Sequence, residues 1–435
     1  MPATQKDKEE MLKFIGCDNI NDLFHNIPSE LILKDGANIP EGLSELEVFE
    51  KMKRIADKNT VFSSIFRGAG AYDHYIPAIV SSVVSKEEFV TSYTPYQPEI
   101  SQGILQSIFE YQTMICEITG MDVSNASVYD GASAAAEAAA MCRDRKRTKT
   151  LISATAHPDV IETVKTYCWA SDSQLVIIPQ KDGITDLDAL KDLLDETVSG
   201  VYIAQPNFFG NIEPASEIGE IVHAAGAKYI MGVNPIAMAI LPSPMECGAD
   251  VAVGEGQPLG MPLSFGGPYL GFMAAKSSMA RKLPGRIVGQ TNDAKGNRAF
   301  VLTLQAREQH IRREKASSNV CSNQALCALT AGVYLSTLGQ KGLEQAALLS
   351  MSKAHYLAQE LCKIPGFDMV HNGEYFHEFV TTCPVDADML NDELSKKGIL
   401  GGLHIDEGIL WCTTEKNSKA QIDTLISAIK EVCTK

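Results

Sequence analysis

The feature that most constrains the fold is a series of short, uninterrupted apolar segments between residues 149 and 254. They are KTLISA (149–154), QLVIIP (174–179), VSGVYIAQ (198–205), AKYIMGV (227–233) and ADVAVG (249–254). Amphipathic helical stretches lie between them: HPDVIETVKTYCWA, DLDALKDLLDET and SEIGEIVHAAG. A strand with no polar face must be covered on both sides, and a parallel neighbour is reached through a crossover helix. The alternation therefore predicts a doubly wound α/β domain with a mostly parallel sheet, placed over residues 61–330. In such sheets ligands gather at the carboxyl ends of the strands.

Two flanking blocks complete the chain. Residues 1–60 read as a helical arm: Met11, Leu12, Phe14 and Ile15 share one stripe, and SELEVFEKMKRIADKN has a similar period. The arm is too short to bury its own apolar faces. Residues 331–435 read as a small α+β lobe. A long helical pattern, TLGQKGLEQAALLSMSKAHYLAQELCKI, is followed by strands at EYFHEFVTTCPV and GILWCTT and helices at ADMLNDELSKKG and KAQIDTLISAIKEVCTK.

Composition removes several function classes. The 435-residue chain carries a net charge of −16 and no strongly basic segment that would offset it, which argues against nucleic acid as a partner. No apolar run approaches the roughly 18 residues of a membrane span, and the polar start MPATQKDKEEMLKF has no signal-peptide core, so no membrane is expected. The 11 cysteines are scattered without a CxxC pair, and the nine histidines show no HxH or HExxH spacing. Neither a disulfide framework nor a metal site is predicted. The expectation is a cytoplasmic enzyme or enzyme subunit.

Four motifs could carry chemistry. In DGASAAAEAAAMC (130–142), Gly131, Ala132 and Ser133 open an alanine-rich helix that Ser133 could cap; its free N–H groups would suit an anion, although an ordinary capped helix outweighs that reading. In GADVAVGEGQPLGMPLSFGGPYLGFMAA (248–275), Gly254, Gly256 and Gly260 superficially suggest a dinucleotide loop, but Pro258 and Pro262 forbid the helix it requires. This is a structured loop between two strands, with glycines for close approach to a ligand or another chain. The segment TSYTPYQPEISQG (91–103) holds Tyr93, Tyr96, Gln97 and Glu99 between stiffening prolines, which suits a binding surface and a buried connector equally. Finally, Arg281, Arg286, Arg298, Arg307, Arg312 and Arg313 cluster in one stretch. They suit carboxylate or phosphate recognition, with internal ion pairs to Asp and Glu as the weightier reading.

Taken in order, YTPYQPEISQG, NASVYDGASAAAEA, VGEGQPLGMPLSFGGPYLGFMA, LPGRIVGQT and LTLQAREQHIRREKASSN resemble the glycine decarboxylases, the P-proteins of the glycine cleavage system. More narrowly they resemble subunit 1, the amino-terminal half of the split form. The likeness spans nearly the whole chain and is weakest in the last hundred residues. It implies a fold-type I pyridoxal-phosphate (PLP) transferase-like fold: a large doubly wound domain and a small carboxyl-terminal lobe. It also implies an enzyme that, with subunit 2, decarboxylates glycine, releases carbon dioxide and passes the aminomethyl group to the lipoyl arm of the H-protein.

One departure qualifies the resemblance. A cofactor-bearing chain of this fold has an acidic residue at a strand end to pair with the pyridine nitrogen, and the aldimine lysine about two dozen residues on. Here Asn234 and Pro258 stand at those places, and no lysine lies between Lys228 and Lys276. The resemblance thus implies that PLP is carried by subunit 2 and that none is bound covalently by this chain, so no residue of this chain is assigned as catalytic. Gly131, Ala132 and Ser133 become a vestigial phosphate loop, and His157 a helix-start residue before Pro158. This chain would complete its partner's site through Tyr93, Tyr96, Gln97, Glu99 and Ser101, and through Ser264, Phe265, Gly266 and Gly267. A scaffold that only stabilises subunit 2 and docks the H-protein, or a self-sufficient enzyme using Lys276 or another lysine, are the alternatives. The apolar arm and the glycine-rich loops imply an obligate interface above about 2,000 Å² and a heterotetramer.

Overall fold

The computed structural model describes residues 4–33 and 36–434, which divide into two compact units, Met1–Thr60 and Val61–Lys435. The first unit carries helices α1 (Gln5–Ile15) and α2 (Glu45–Ala56). Each begins in a reciprocal capping box, Thr4 with Asp7 and Ser44 with Glu47, and each has acidic residues in its first turn and basic ones in its last. Caps and charges both complement the helix ends. Neither helix buries a residue, and Phe14 and Phe49 are 91% and 67% exposed.

The second unit is built on a seven-stranded sheet. Its strands are β1 (Val123–Ser124), β2 (Lys149–Ser153), β3 (Leu175–Ile178), β4 (Val198–Gln205), β5 (Lys228–Val233), β6 (Val251–Glu255) and β7 (Gly271–Ala275). They lie in the order β1-β7-β6-β5-β4-β2-β3. The pairs β2/β3, β2/β4, β4/β5 and β5/β6 are parallel, and β7 is antiparallel to both its neighbours.

Side-chain alternation divides the core between the two faces. Leu151, Val201, Ile203, Tyr229, Met231 and Ala252 join one apolar cluster. Their immediate neighbours Ile152, Tyr202, Ile230, Val251 and Val253 join the other. The central strands are apolar on both sides because each side is covered, whereas the edge strand β3 leaves Ile177 42% exposed. Helix α3 (Gln102–Thr119) precedes β1, and α4 (Gly131–Cys142) packs its alanines into the second cluster. The crossovers are α5 (Pro158–Ala170), α6 (Leu187–Leu193) and α7 (Ala215–Ala224). Between β6 and β7 the chain forms no helix, as the prolines dictate.

A hairpin not anticipated from the sequence follows, β8 (Ile287–Asn292) with β9 (Arg298–Thr303). Helix α8 (Ala325–Leu361) begins more than three turns earlier than the long helical pattern, which starts at Thr337; Gly339, at φ 60° and ψ −177°, breaks it into two helical segments. Beyond it lie strands β10 (Glu378–Thr381), β11 (Leu403–Ile405) and β12 (Gly408–Cys412), with helices α9 (Ala387–Lys396) and α10 (Lys419–Cys433). The strands pair antiparallel in the order β10-β12-β11 around the fully buried Trp411, whose indole N–H donates to Thr381 Oγ1 at 3.0 Å. Among the described residues no helix is long and apolar enough to cross a membrane.

Ile230 is fully buried in the middle of the sheet, whereas Trp169 is 81% exposed. Ile230→Ala is expected to destabilise the chain by about 2–5 kcal/mol and Trp169→Ala by no more than about 0.5, measured by urea unfolding.

Candidate functional site

A cavity of about 440 Å³ opens at the carboxyl ends of the parallel strands. The turn after β2 supplies His157, the end of β5 supplies Asn234, and β6 with its following loop supplies Glu255 and Pro258. The start of α4 adds Asp130 and Gly131, and Tyr72 and Glu378 close the remaining side. This is where an open parallel sheet places its ligand.

The lining is acidic, and its polar groups are already bonded to one another. Asp130 Oδ1 accepts from the Ser133 N–H at 2.7 Å, so Asp130 caps α4 and Ser133 does not. An aspartate in extended conformation one residue before the helix outcompetes a serine inside it. The Gly131 N–H donates to Glu255 Oε2 at 3.0 Å, while Gln257 and Leu270 N–H groups donate to Oε1 at 2.9 and 3.0 Å. A Cβ on Gly131 would lie 2.9 Å from the Glu255 backbone N, so only glycine permits this approach. Burial outweighs these three bonds and pushes the Glu255 carboxyl up to about 7. Glu378 takes the Ala69 N–H at 2.6 Å and the Tyr72 hydroxyl at 2.7 Å, and burial raises it to about 7 as well.

These residues do not fit pyridoxal phosphate, the cofactor that the resemblance implies for the fold. Among the described residues no lysine or arginine lines the cavity. Pro258 offers no amine. Asn234 Oδ1 accepts from the N–H groups of Ile236 and Ala237 at 2.9 and 3.4 Å, capping a turn, and its amide carries no charge for a pyridinium. The helix start at Gly131–Ser133 is met by two of the chain's own carboxylates, where a phosphate would need cations or free donors. Lys276 lies at the other end of the sheet, where its amine donates to Gly248 O at 3.3 Å and pairs with Asp250 at 3.2 Å. His157 caps α5: its Nδ1 accepts from the Asp159 N–H at 3.1 Å and its Nε2 faces Ala69 O at 2.9 Å.

The two loops singled out in the sequence lie elsewhere. Tyr93 is 88% exposed; Tyr96, Gln97 and Glu99 are exposed and Ser101 is half-buried before α3. The segment is held from behind by Gln102, whose amide donates to Pro98 O at 2.7 Å and Phe300 O at 2.9 Å. Ser264–Gly267 is a tight turn closed by the Gly267 N–H on Ser264 O at 2.9 Å. Phe265 at its tip has φ 46° and is 98% exposed, and Gly266 has φ 94°. A left-handed, solvent-exposed phenylalanine stores strain of order 1–3 kcal/mol without packing in return. No hydrogen bond or ring contact joins the two loops among the described residues.

The arginine cluster requires a correction. Among the described residues no arginine forms an ion pair with a carboxylate; the pairs are made by lysine and histidine. Arg286 instead bonds Tyr96 and Asn323, Arg312 bonds Ala306 O, and Arg298 lies over the Phe300 ring at 5.4 Å. Local charge density in a sequence does not say which backbone carbonyl lies nearer than which carboxylate. Glu255 and Glu378 were missed altogether. Glu255 alone had a signal, an acidic residue closing an apolar strand at the ligand end of a parallel sheet.

A family model for the glycine cleavage system P-protein matches residues 1–429. The probable glycine dehydrogenase (decarboxylating) subunit 1 of Desulforamulus reducens is 50% identical over 439 residues, covering 99% of this chain and 98% of that one. A crystal structure of glycine decarboxylase (P-protein) of the glycine cleavage system, in inhibitor-bound form, superposes with a TM-score of 0.94 at 39% identity, covering 99% of each chain. A sphingosine-1-phosphate lyase from Burkholderia pseudomallei is 13% identical with a TM-score of 0.68, covering 92% of this chain and 93% of that one, and shares the fold alone. The architecture is that of the fold-type I pyridoxal-phosphate enzymes.

Glu255 titrates higher folded, at about 7, than its ordinary 4.5. The folded state therefore holds the proton more tightly, and this group's contribution to stability falls as pH rises through that window. The deficit caused by Glu255→Gln is expected to shrink between about pH 5 and about pH 8 in urea unfolding, because the wild type alone must bury a carboxylate at the higher pH. A deficit constant across the range would show that Glu255 is ionised throughout.

Proposed function

Because this chain belongs to the glycine cleavage system P-protein family, we propose that it is subunit 1 of a split glycine decarboxylase, working only with subunit 2. The complex takes glycine, releases carbon dioxide and hands the aminomethyl group to the lipoyl group of the H-protein. Pyridoxal phosphate supplies the electron sink for that chemistry and belongs to subunit 2. The observation that carries this reading is the cavity at the strand ends. Pro258 and Asn234 replace the two groups the cofactor needs, and Glu255 holds the Gly131 N–H that a phosphate would use.

The role of this chain is to finish its partner's site. Tyr93, Tyr96, Gln97, Glu99 and Ser101 form one contributing loop and Ser264, Phe265, Gly266 and Gly267 the other. A hydroxyl, an amide and a carboxylate on a proline-stiffened segment can orient a small zwitterion and exclude water with little loss of side-chain freedom on closing. Phe265, strained and solvent-exposed here, gains its packing from the partner. The apolar stripes of α1 and α2, which bury nothing, are assigned to subunit 2 as well, and the αβ pair doubles into a heterotetramer.

Glu99→Ala and Tyr96→Phe are each expected to lower glycine decarboxylation by the reconstituted two-subunit enzyme about tenfold or more, with the complex still assembled by size-exclusion chromatography. Unchanged turnover in both variants would favour a scaffold that only supports subunit 2.

A further inference from the structure

The end of the β8/β9 hairpin gathers two guanidinium groups that the proposed function leaves unused. Arg286 immediately precedes Ile287, whose partner across the hairpin is Thr303; Arg307 follows Thr303 by one turn of chain. Arg286 is only 4% exposed. Its Nη1 donates to Asn323 Oδ1 at 3.3 Å and its Nη2 to the Tyr96 hydroxyl at 3.1 Å, with the guanidinium carbon 5.2 Å from the Tyr96 ring centre. Asn323 is itself fixed by Ser127, whose hydroxyl accepts its amide at 2.8 Å. Arg307 is anchored by Nη1 on Leu283 O.

What remains on these groups is directional. Arg286 Nε and both Nε and Nη2 of Arg307 are buried without a hydrogen-bond partner. Nε and Nη2 form the side-on fork of a guanidinium, two parallel N–H groups spaced to take both oxygens of one carboxylate or phosphate. A buried guanidinium with unfilled donors is stabilised by an oxyanion that takes them. Among the described residues no carboxylate comes within 4.0 Å of either guanidinium. Glu308, next in sequence to Arg307, keeps its Oε1 buried and unpartnered and sets Oε2 3.6 Å from His310 Nδ1. Two arginines against one glutamate leave this group of side chains with a net positive charge.

We propose that Arg307 and Arg286 form an oxyanion receptor filled from outside this chain, the side-on fork of Arg307 taking a carboxylate or phosphate group and Arg286 supporting it beside Tyr96. The ligand is either a small dissolved anion or an acidic group brought by subunit 2; both present the same pair of oxygens. The receptor sits against the Tyr93–Ser101 loop through the Arg286–Tyr96 bond; its donors belong to this chain alone, while a ligand brought by subunit 2 rests on the proposed function.

The test is calorimetric titration of the full chain with inorganic phosphate, and separately with glycine, against chloride at matched ionic strength. Saturable binding of phosphate or glycine is expected. Arg307→Lys, which keeps the charge and loses the fork, should weaken it about tenfold or more, and Arg307→Gln should abolish it. If the Arg307 variants fail to fold by circular dichroism, Arg286→Lys takes their place with the same expected loss. No saturable binding to the wild type, or equal binding in the folded variants, would overturn the proposal. Repeating the titration with subunit 2 assigns the source. Phosphate binding that persists marks a small-anion site, and phosphate binding displaced by subunit 2, with Arg307→Lys loosening the complex, marks a partner carboxylate.

Discussion

The carboxylate of Glu255 ties together the segments that define the cavity. At the end of β6 it draws in N–H groups from Gly131 at the head of α4, from Gln257 in the following loop and from Leu270 before β7. Gln257 in turn holds the Tyr72 backbone by its N–H at 2.8 Å and its carbonyl at 2.9 Å, and Tyr72 donates to Glu378. One buried acid thus connects the large sheet to the strand at Glu378–Thr381. The arrangement closes a helix start that could otherwise receive an anion, and it sets acid oxygens in the crevice where this kind of sheet receives its ligand.

On the function proposed above, that substitution of roles lets a chain keep a cofactor-binding architecture while its partner carries the cofactor. Parallel strands, crossover helices and a cavity at their carboxyl ends follow from backbone covering and connection rules, which no single site residue controls. The chemistry resides in a few side chains at strand ends. Here those are Asn234, Pro258 and Glu255: Asn234 and Glu255 are engaged in holding the local chain, and Pro258 lines the cavity without an amine to offer. Fold and activity separate at this level.

Much of this was legible in the sequence, for reasons that differ by element. The strands from Lys149 to Glu255 could be read because burial on both faces leaves an uninterrupted apolar run. Asn234 and Pro258 were singled out because the resemblance says how far from such a strand the acid and the lysine would stand. The cap of α4 lies three residues earlier than expected: Ser133 is inside the helix, and Asp130, just outside it, has the extended backbone a cap requires. The partners of the arginines were misread because ion pairing depends on distances across the fold. The Tyr72–Glu378 bond joins residues 306 apart, which no local pattern reveals. The hairpin Ile287–Thr303 was absorbed into a basic run although its turn, Asp293 to Asn297, carries the asparagine and glycine of a tight reversal.

The most direct test of the central claim is where the cofactor resides. Each chain alone and the two together are incubated with pyridoxal phosphate, reduced with borohydride and mapped by mass spectrometry, with glycine decarboxylation followed in parallel. A lysyl adduct on subunit 2 only, with activity requiring both chains, is the predicted result. A stoichiometric adduct at one lysine of this chain would contradict the account built on Asn234, Glu255 and Pro258.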